Sequence, residues 1–318
     1  MRLDNQQLMV KAAWLYHVEG LTQAQIGERM NLTRRRVNEL LASALESGVV
    51  RISFSSPLSE NVELEGQLCS RFGLKDAVIA PTPADPAYMH AIIGRAAAGF
   101  LDRLLQSGKP RMIGVGWGAT LLETVKHMTV ANEPEMRIQS LMGGLTRGSE
   151  INTFDIVRSF AQVLNAKCHY FAAPIYAGSE EAHDVIMALP IFREFLNEGS
   201  SVDLSLLSVG DVSGKSLQVR YGLPPQTDIR ELVEAGAVGD LLGHYLDSHG
   251  NPVDHPLNRQ VISLGLNAYR DIPTRILASG GRHKHAILLA TLKAGLATAI
   301  VTDAERARAL LGEPADRD

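Results

Sequence analysis

LTQAQIGERMNLTRRRVNELLASAL, residues 21 to 45, reads as two short helices joined by a tight turn. Thr22 followed by Gln25 is a capping box, in which the Thr oxygen accepts from an orphan backbone N–H and the Gln side chain reaches back to the cap. Ile26 and Met30 then face one way at i, i+4, Asn31 interrupts, and Leu32, Val37, Leu40, Leu41 and Ala44 resume helical spacing. Asn tolerates a left-handed backbone better than any residue but Gly, so Asn31 is expected to end the first helix and Thr33 to cap the second. Gly27 inside the first helix costs up to ~1 kcal/mol against Ala, a loss that close helix packing would explain. A helical pair of this size is the bihelical motif that reads DNA.

The polar face agrees. Thr33, Arg34, Arg35, Arg36 and Asn38 crowd the start of the second helix, where a recognition helix presents side chains to base edges in the major groove. Arg suits guanine edges and phosphates, and Asn suits adenine. Successive helical positions lie about 100° apart, so three consecutive arginines cannot all face one groove, and at least one is expected on phosphate. Thr22 and Gln23, opening the first helix, complete the expected surface. The charge run alone would fit a solvated helical hairpin; caps, turn and apolar spacing together favour DNA binding.

Upstream, residues 5 to 18 form an amphipathic helix with Leu8, Ala12, Trp14 and Leu15 directed at the bihelical unit, Trp14 being read as core. Downstream, Gly48 closes the recognition helix region. VVRISF (49 to 54) alternates like a strand, which suggests a winged helix-turn-helix with Arg51 reaching phosphate or minor groove. SSPLSE (55 to 60) is polar and Pro-broken and reads as a linker, so the boundary is set between a DNA-binding domain, 1–56, and a second domain, 57–318. Residues 61 to 72 should be helical.

Composition fits this division. A chain of 318 residues with 45% hydrophobic and 21% charged residues has core enough for two domains. The net charge of −4 separates unevenly: residues 1 to 56 carry seven Lys/Arg and five acids, the remainder 24 and 30. The head is +2 and the body −6, so positive charge concentrates where phosphate contact is needed, and an architectural DNA-coating protein is excluded. Cys69 and Cys168 have no metal spacing, and neither a disulfide framework nor a metal site is indicated. The start MRLDNQQLMVK lacks the apolar core of a signal peptide, and no apolar run is long enough to span a bilayer. A cytoplasmic location without a membrane partner is expected.

From residue 75 short apolar runs alternate with helical segments. Expected strands are 76–80, 112–116, 137–142, 169–173, 203–210, 237–247, 275–280 and 297–303; expected helices include 89–106, 119–129, 153–165, 282–294 and 303–311. This period means an α/β domain with a mainly parallel sheet. In such sheets ligands bind beyond the carboxyl ends of the strands. Four loops qualify. GVGWGAT (114 to 120) runs from a strand through glycines into a helix start, offering free N–H groups. MGGL (142 to 145) is a second Gly pair. GAVGD (236 to 240) ends in Asp240, able to hold a polyol hydroxyl. SGGRHKHAI (279 to 287) places Gly280 and Gly281 before a helix with Lys284 in its first turn, where a cation opposes the helix dipole and suits an anion instead.

LTQAQIGERMNLTRRRVNELLASALESGVVRI, GVGWGATL, MGGL, EAGAVGDLLGHYLDSHGN, ASGGRHKHAI and IVTDAERARALL stand in the order and spacing of the SorC family of bacterial transcriptional regulators, the DeoR-like sugar-binding regulators, and the resemblance covers nearly the whole chain. It implies a winged helix-turn-helix followed by an effector and oligomerisation domain similar to the glucosamine-phosphate deaminase, ribose-phosphate isomerase and CoA-transferase fold (NagB/RpiA/CoA-transferase-like). It implies a tetramer that binds operator DNA and represses or activates a carbohydrate or polyol operon, with a sugar, polyol or sugar phosphate as effector. Carried over by position, the effector site comprises Gly116, Gly118, Thr120, Gly143, Gly144, Asp240 and Lys284, to which this chain's own loops add Trp117, Gly280 and Gly281. Members that bind phosphorylated sugars often carry a basic residue before the second Gly pair; here Leu141 and Met142 stand there, and the nearest cation is Arg147. Trp117 puts a large ring where smaller residues are common, so an unphosphorylated polyol stacking on it is the other option.

The competing class is an isomerase or deaminase acting on a sugar phosphate. Catalysis needs a positioned acid/base pair. Asp203, Asp240 and His244 lie in three strands without forming a motif, so no catalytic residue and no cofactor is assigned. A DNA-reading head serves no isomerase.

Overall fold

The computed structural model describes residues 4–47, 49–50, 57–108, 110–145, 151–199, 201–214 and 216–312. By its contacts the chain separates into two units, 1–59 and 60–318.

The first unit holds α1 (Asn5–His17), α2 (Gln23–Met30) and α3 (Arg34–Glu46). Asp4 caps α1 and Thr22 caps α2, each with a complete capping box closed by Gln7 and Gln25. Asn31 is left-handed at φ 51°, and Thr33 caps α3 by accepting from the N–H of Arg36. Gly27 has a definite reason to lack a side chain: a Cβ there would stand 2.7 Å from the carbonyl oxygen of Leu32, in the turn. Ala12, Ala13, Leu15, Ile26, Val37, Leu40, Leu41 and Ala44 form the core. Trp14 departs from expectation. Its side chain is 58% exposed, because Ala13 and Leu15 take the inward positions on α1 and leave Trp14 on the outer face with Val10 and Val18. The expected wing strand and Arg51 lie outside the described residues, apart from Val49 and Val50, which form a bend.

The second unit opens within α4 (Pro57–Phe72), which starts inside the stretch expected to be linker. Its main sheet has seven parallel strands in the order β1 (Asp76–Ala80), β10 (Ala299–Asp303), β9 (Thr274–Ala278), β5 (Leu204–Leu207), β2 (Met112–Val115), β3 (Arg137–Ser140) and β4 (Lys167–His169). Helices α5 (Met89–Ser107), α6 (Ala119–His127), α7 (Thr153–Leu164), α8 (Glu180–Ala188), α9 (Pro190–Gly199), α10 (Ile229–Glu234), α11 (Leu266–Arg270), α12 (His285–Lys293) and α13 (Ala304–Leu311) fill the connections. Alternate strand residues serve two cores. Ile113, Val115, Leu206, Ile276 and Val301 pack with α5, α6 and α7. Met112, Leu207, Leu277 and Ile300 pack with α4, α12 and α13. A parallel sheet buried on both faces needs this apolar content on both sides of each strand.

Three expectations are corrected. Residues 237–247 are not one strand: β7 (Gly239–Leu241) and β8 (His244–Leu246) form a hairpin, with φ 56° at Leu242 and 81° at Gly243, and β7 also pairs with β6 (Gly210–Asp211). Residues 169–173 are mostly irregular, since β4 is already finished at His169, and Phe171 packs instead on Phe192 and Phe195 of α9. Lys284 ends a one-turn 3-10 segment that precedes α12.

Candidate functional site

In the second unit, the loops after three neighbouring strands converge. The segments following β2, β5 and β9 meet the hairpin β7–β8 around a small cleft of about 100 Å³. From β2 comes Gly116-Trp117-Gly118, then Thr120 in the first turn of α6. Gly118 sits at φ 124° and ψ 160°, a conformation that residues with a Cβ resist, and it starts α6 without a side-chain cap. The cleft therefore meets a helix N-terminus carrying partial positive charge. From β5 come Ser208 and Asp211, and from β9 the loop through Gly280 and Gly281 to Lys284. That loop is held from beneath: buried Asp303 accepts from the Gly281 N–H at 2.8 Å, and Gly281 has φ 92°.

Lys284 is the charged centre. Its ammonium is buried and lies 3.5 Å from the Ser208 hydroxyl; burial pulls its pKa below the usual lysine value, while Asp211 and Asp240 support the charged form. Asp240 is buried beside it. Burial raises its carboxyl to about 6, although the N–H of Gly243, 3.2 Å from Oδ2, and Lys284 both oppose the rise. Its Oδ1 has no hydrogen-bond partner among the described residues. His90 on α5 faces Thr120 at 3.0 Å, and burial together with Lys284 lowers it to about 4, so it is neutral at physiological pH. The floor thus offers carboxylate acceptors, an ammonium donor and hydroxyls beside Trp117 and Leu207, which is the mixture that a polyhydroxylated ligand needs.

Of the residues expected from sequence, Gly116, Trp117, Gly118, Thr120, Asp240 and Lys284 line the cleft. Gly280 and Gly281 shape its Lys284 loop without lining it; a Cβ on Gly280 would meet Asp303 Oδ2 at 2.6 Å. Gly143 and Gly144 lie elsewhere. Their N–H groups bond Ile262 and Ala173, and a Cβ on Gly143 would fall 2.2 Å from the Pro174 carbonyl oxygen, so this pair lets backbone segments cross closely. Sequence reasoning missed His90, Ser208, Asp211, Ser216, Gln218 and His283, which also line the cleft. Apart from His283, which adjoins Lys284 in a loop already singled out, they come from segments remote in the chain, and only the position just beyond β5 could have marked Ser208 and Asp211. Arg147 lies outside the described residues.

No acid/base pair forms among the three catalytic candidates. Asp203 accepts from the N–H groups of Arg111 and Met112, at the other end of the sheet, and His244 is buried against Ser263 at 3.2 Å. Among the described residues no cluster of His, Cys, Asp or Glu has metal-binding geometry, and no helix is long and apolar enough to cross a membrane.

In the first unit, α3 presents Arg34, Arg35 and Asn38 outward, with the Arg35 side chain 90% exposed. Arg36 is engaged internally: it donates to Asn5 Oδ1 at 2.5 Å and pairs with Glu39 at 3.1 Å, tying α3 to the start of α1. Gln23 donates to Asn38 Oδ1 at 3.2 Å, so the opening of α2 orients a residue of the reading face. Thr22 and Thr33 spend their hydroxyls as caps.

Residues 56–312 match the sugar-binding domain family, and residues 4–47 match the family of region 4 of sigma-70 factors. The chain belongs to the SorC family of transcriptional regulators. Among its relatives, the transcriptional regulator LsrR of Escherichia coli (strain SMS-3-5 / SECEC) is 30% identical over 96% of this chain and 95% of that protein. The erythritol catabolism regulatory protein EryD of Brucella abortus (strain 2308) is 28% identical over 96% of this chain and 97% of that protein. The crystal structure of the full-length sorbitol operon regulator SorC from Klebsiella pneumoniae superposes with a TM-score of 0.73 at 26% identity, covering 98% of this chain and 100% of that one. These SorC-family relatives are regulators, not enzymes, and this chain is a transcriptional regulator with a helix-turn-helix head and a sugar-binding domain.

Proposed function

We propose that this protein is a cytoplasmic repressor of a polyol or carbohydrate catabolic operon, released from its operator by a small hydroxylated effector. The observation that carries the reading is the cleft in which Lys284, Asp240 and Asp211 meet Trp117 and the start of α6. Carboxylates accept from vicinal hydroxyls, the ammonium and the helix N-terminus suit an oxygen-rich or phosphorylated end, and Trp117 offers a ring face to C–H groups. The names of the relatives point to the same ligand class: EryD serves erythritol catabolism and SorC a sorbitol operon. The effector-binding residues are Gly116, Trp117, Gly118, Thr120, Asp240 and Lys284, with Gly280 and Gly281 as the frame of the Lys284 loop.

The DNA-binding residues are Arg34, Arg35 and Asn38 on base edges and phosphate, with Thr22, Gln23, Thr33, Arg36 and Arg51 in support. The working form is a tetramer whose paired heads meet an approximately palindromic operator. Effector binding shifts an equilibrium between arrangements of the heads, and operator affinity follows. The test is thermal unfolding against erythritol, sorbitol and the monophosphates of each. A ligand at 100 times its dissociation constant adds about 2.7 kcal/mol. A shift with at least one compound, lost in Asp240→Asn, is expected; no shift with any of them removes this ligand class.

A further inference from the structure

Two residues of the cleft wall are joined by a chain of hydrogen bonds that leaves the cleft and returns to it. Gln218, 3% exposed, donates from Nε2 to the Tyr176 hydroxyl oxygen at 2.9 Å. Tyr176, 6% exposed, donates that hydroxyl to the Gly243 carbonyl at 2.7 Å. Gly243 donates its N–H to Asp240 Oδ2 at 3.2 Å. Gln218 and Asp240 both line the cleft, whereas Tyr176 faces a separate groove that it shares with residues 219–229. At each end of the chain one acceptor, Gln218 Oε1 or Asp240 Oδ1, is buried without a partner among the described residues. Buried acceptors of this kind are rare and unfavourable, and a ligand with hydroxyl donors relieves both.

Gln218 also opens an unusual piece of backbone. Residues Gln218–Gly222 form one π-helical turn, closed by the Leu223 N–H on the Gln218 carbonyl at 3.0 Å. Such turns are rare and concentrate at functional sites. The Gln218 amide rests on Gly222, where a Cβ would fall 2.7 Å from Oε1, so the amide occupies space that only glycine leaves. The side chain that touches the cleft and the backbone that walls the outer groove therefore belong to one turn.

We propose that Tyr176 is a positioning residue that couples occupancy of the effector cleft to the Gln218–Gly222 turn and the outer groove. This rests on the effector reading above and adds the route by which binding leaves the cleft. The ligand supplies donors to the two end acceptors and so favours the arrangement in which the Tyr176 links are made; without that differential interaction it would shift nothing.

The experiment uses the full chain, an operator duplex selected from a random pool, and erythritol, sorbitol and their monophosphates as probes. In the wild type, a probe that binds slows amide exchange at residues 218–229 and changes operator affinity at least 10-fold. In Tyr176→Phe, which keeps the ring, the same probe binds within about 3-fold of wild type, but the slowing at 218–229 and the operator response are lost. Gln218→Met, which cuts the chain at its other end and also removes an acceptor from the cleft, loses the slowing at 218–229 together with part of the probe affinity. Wild-type exchange at 218–229 that ignores a bound probe overturns the proposal whatever the variants do. So does a full operator response in Tyr176→Phe, or a loss of probe binding in that variant equal to its loss of response. Failure of every probe to bind the wild type instead overturns the effector reading itself.

Discussion

The head and the body handle charge in opposite ways. The head holds its arginines in water: Arg35 is almost fully exposed, and its pairing with Glu39 is a solvent-screened surface ion pair, easily traded for phosphate. The body buries its charge, with Lys284 enclosed beside Asp211 and Asp240. An exposed reader gains affinity from counterion release and tolerates small errors of placement. A buried site gains selectivity, because any polar atom that the ligand leaves unmatched stays unmatched out of reach of water.

The sharpest break of this contrast is Lys284→Met. Its removal takes the nearby cation from buried Asp211 and Asp240, and leaving a buried polar group unsatisfied costs about 1–3 kcal/mol. Urea unfolding of the body should show a loss of that size together with loss of effector binding, while a change below 1 kcal/mol would mean that Lys284 is solvated.

Acid titration comes next. Burial keeps His90 and His244 neutral down to about 4, whereas an unfolded histidine takes its proton near 6.5. Between those values the unfolded state binds more protons, so stability rises with pH across that window. Asp240 works the other way: its carboxyl keeps a proton to about 6, and stability from that source falls as pH rises from about 4 to 6. With two groups against one, the urea midpoint should climb from pH 4 to 6.5 by the equivalent of about 3 kcal/mol, and Asp240→Asn should steepen the climb. A flat profile would show that these groups are wetter than their burial indicates.

In the head, Arg35→Ala and Asn38→Ala should each weaken operator binding by about 1–3 kcal/mol in a gel-shift titration and leave effector binding unchanged. Arg36→Ala should behave differently, lowering head stability through its lost tie to Asn5 more than it lowers specificity. Smallest is Gly27→Ala. The new methyl group meets the Leu32 carbonyl, and a cost of about 1–2 kcal/mol confined to the head is expected. A neutral Gly27→Ala would show that the turn can open.

The same contrast decides how much could be read from the sequence. The head is local: each cap pairs residues three apart, and Asn31 turns the chain by its own backbone preference, so α1, α2 and α3 are legible within a residue or two. Trp14 was misleading because a large aromatic on a short helix is assigned inward by size, while burial follows the Ala12, Ala13 and Leu15 face. In the body, the parallel sheet and the Trp117, Asp240 and Lys284 loops were legible because strand ends locate ligands. Asp211, Gln218 and His90 were not, since their meeting depends on strand order and on a π turn with no sequence signature. The helices α8 and α9 escaped for a related reason: Pro190 holds the preceding Leu189 extended at ψ 133°, which splits one amphipathic stretch into two short pieces.

The most direct test of the account is operator affinity of the wild-type protein measured with and without erythritol, sorbitol and their monophosphates, alongside thermal unfolding of the same samples. The account predicts that the compound which stabilises the protein also weakens operator binding at least 10-fold, in line with a coupling free energy of about 1–3 kcal/mol. A compound that binds the cleft and leaves operator affinity untouched would contradict it.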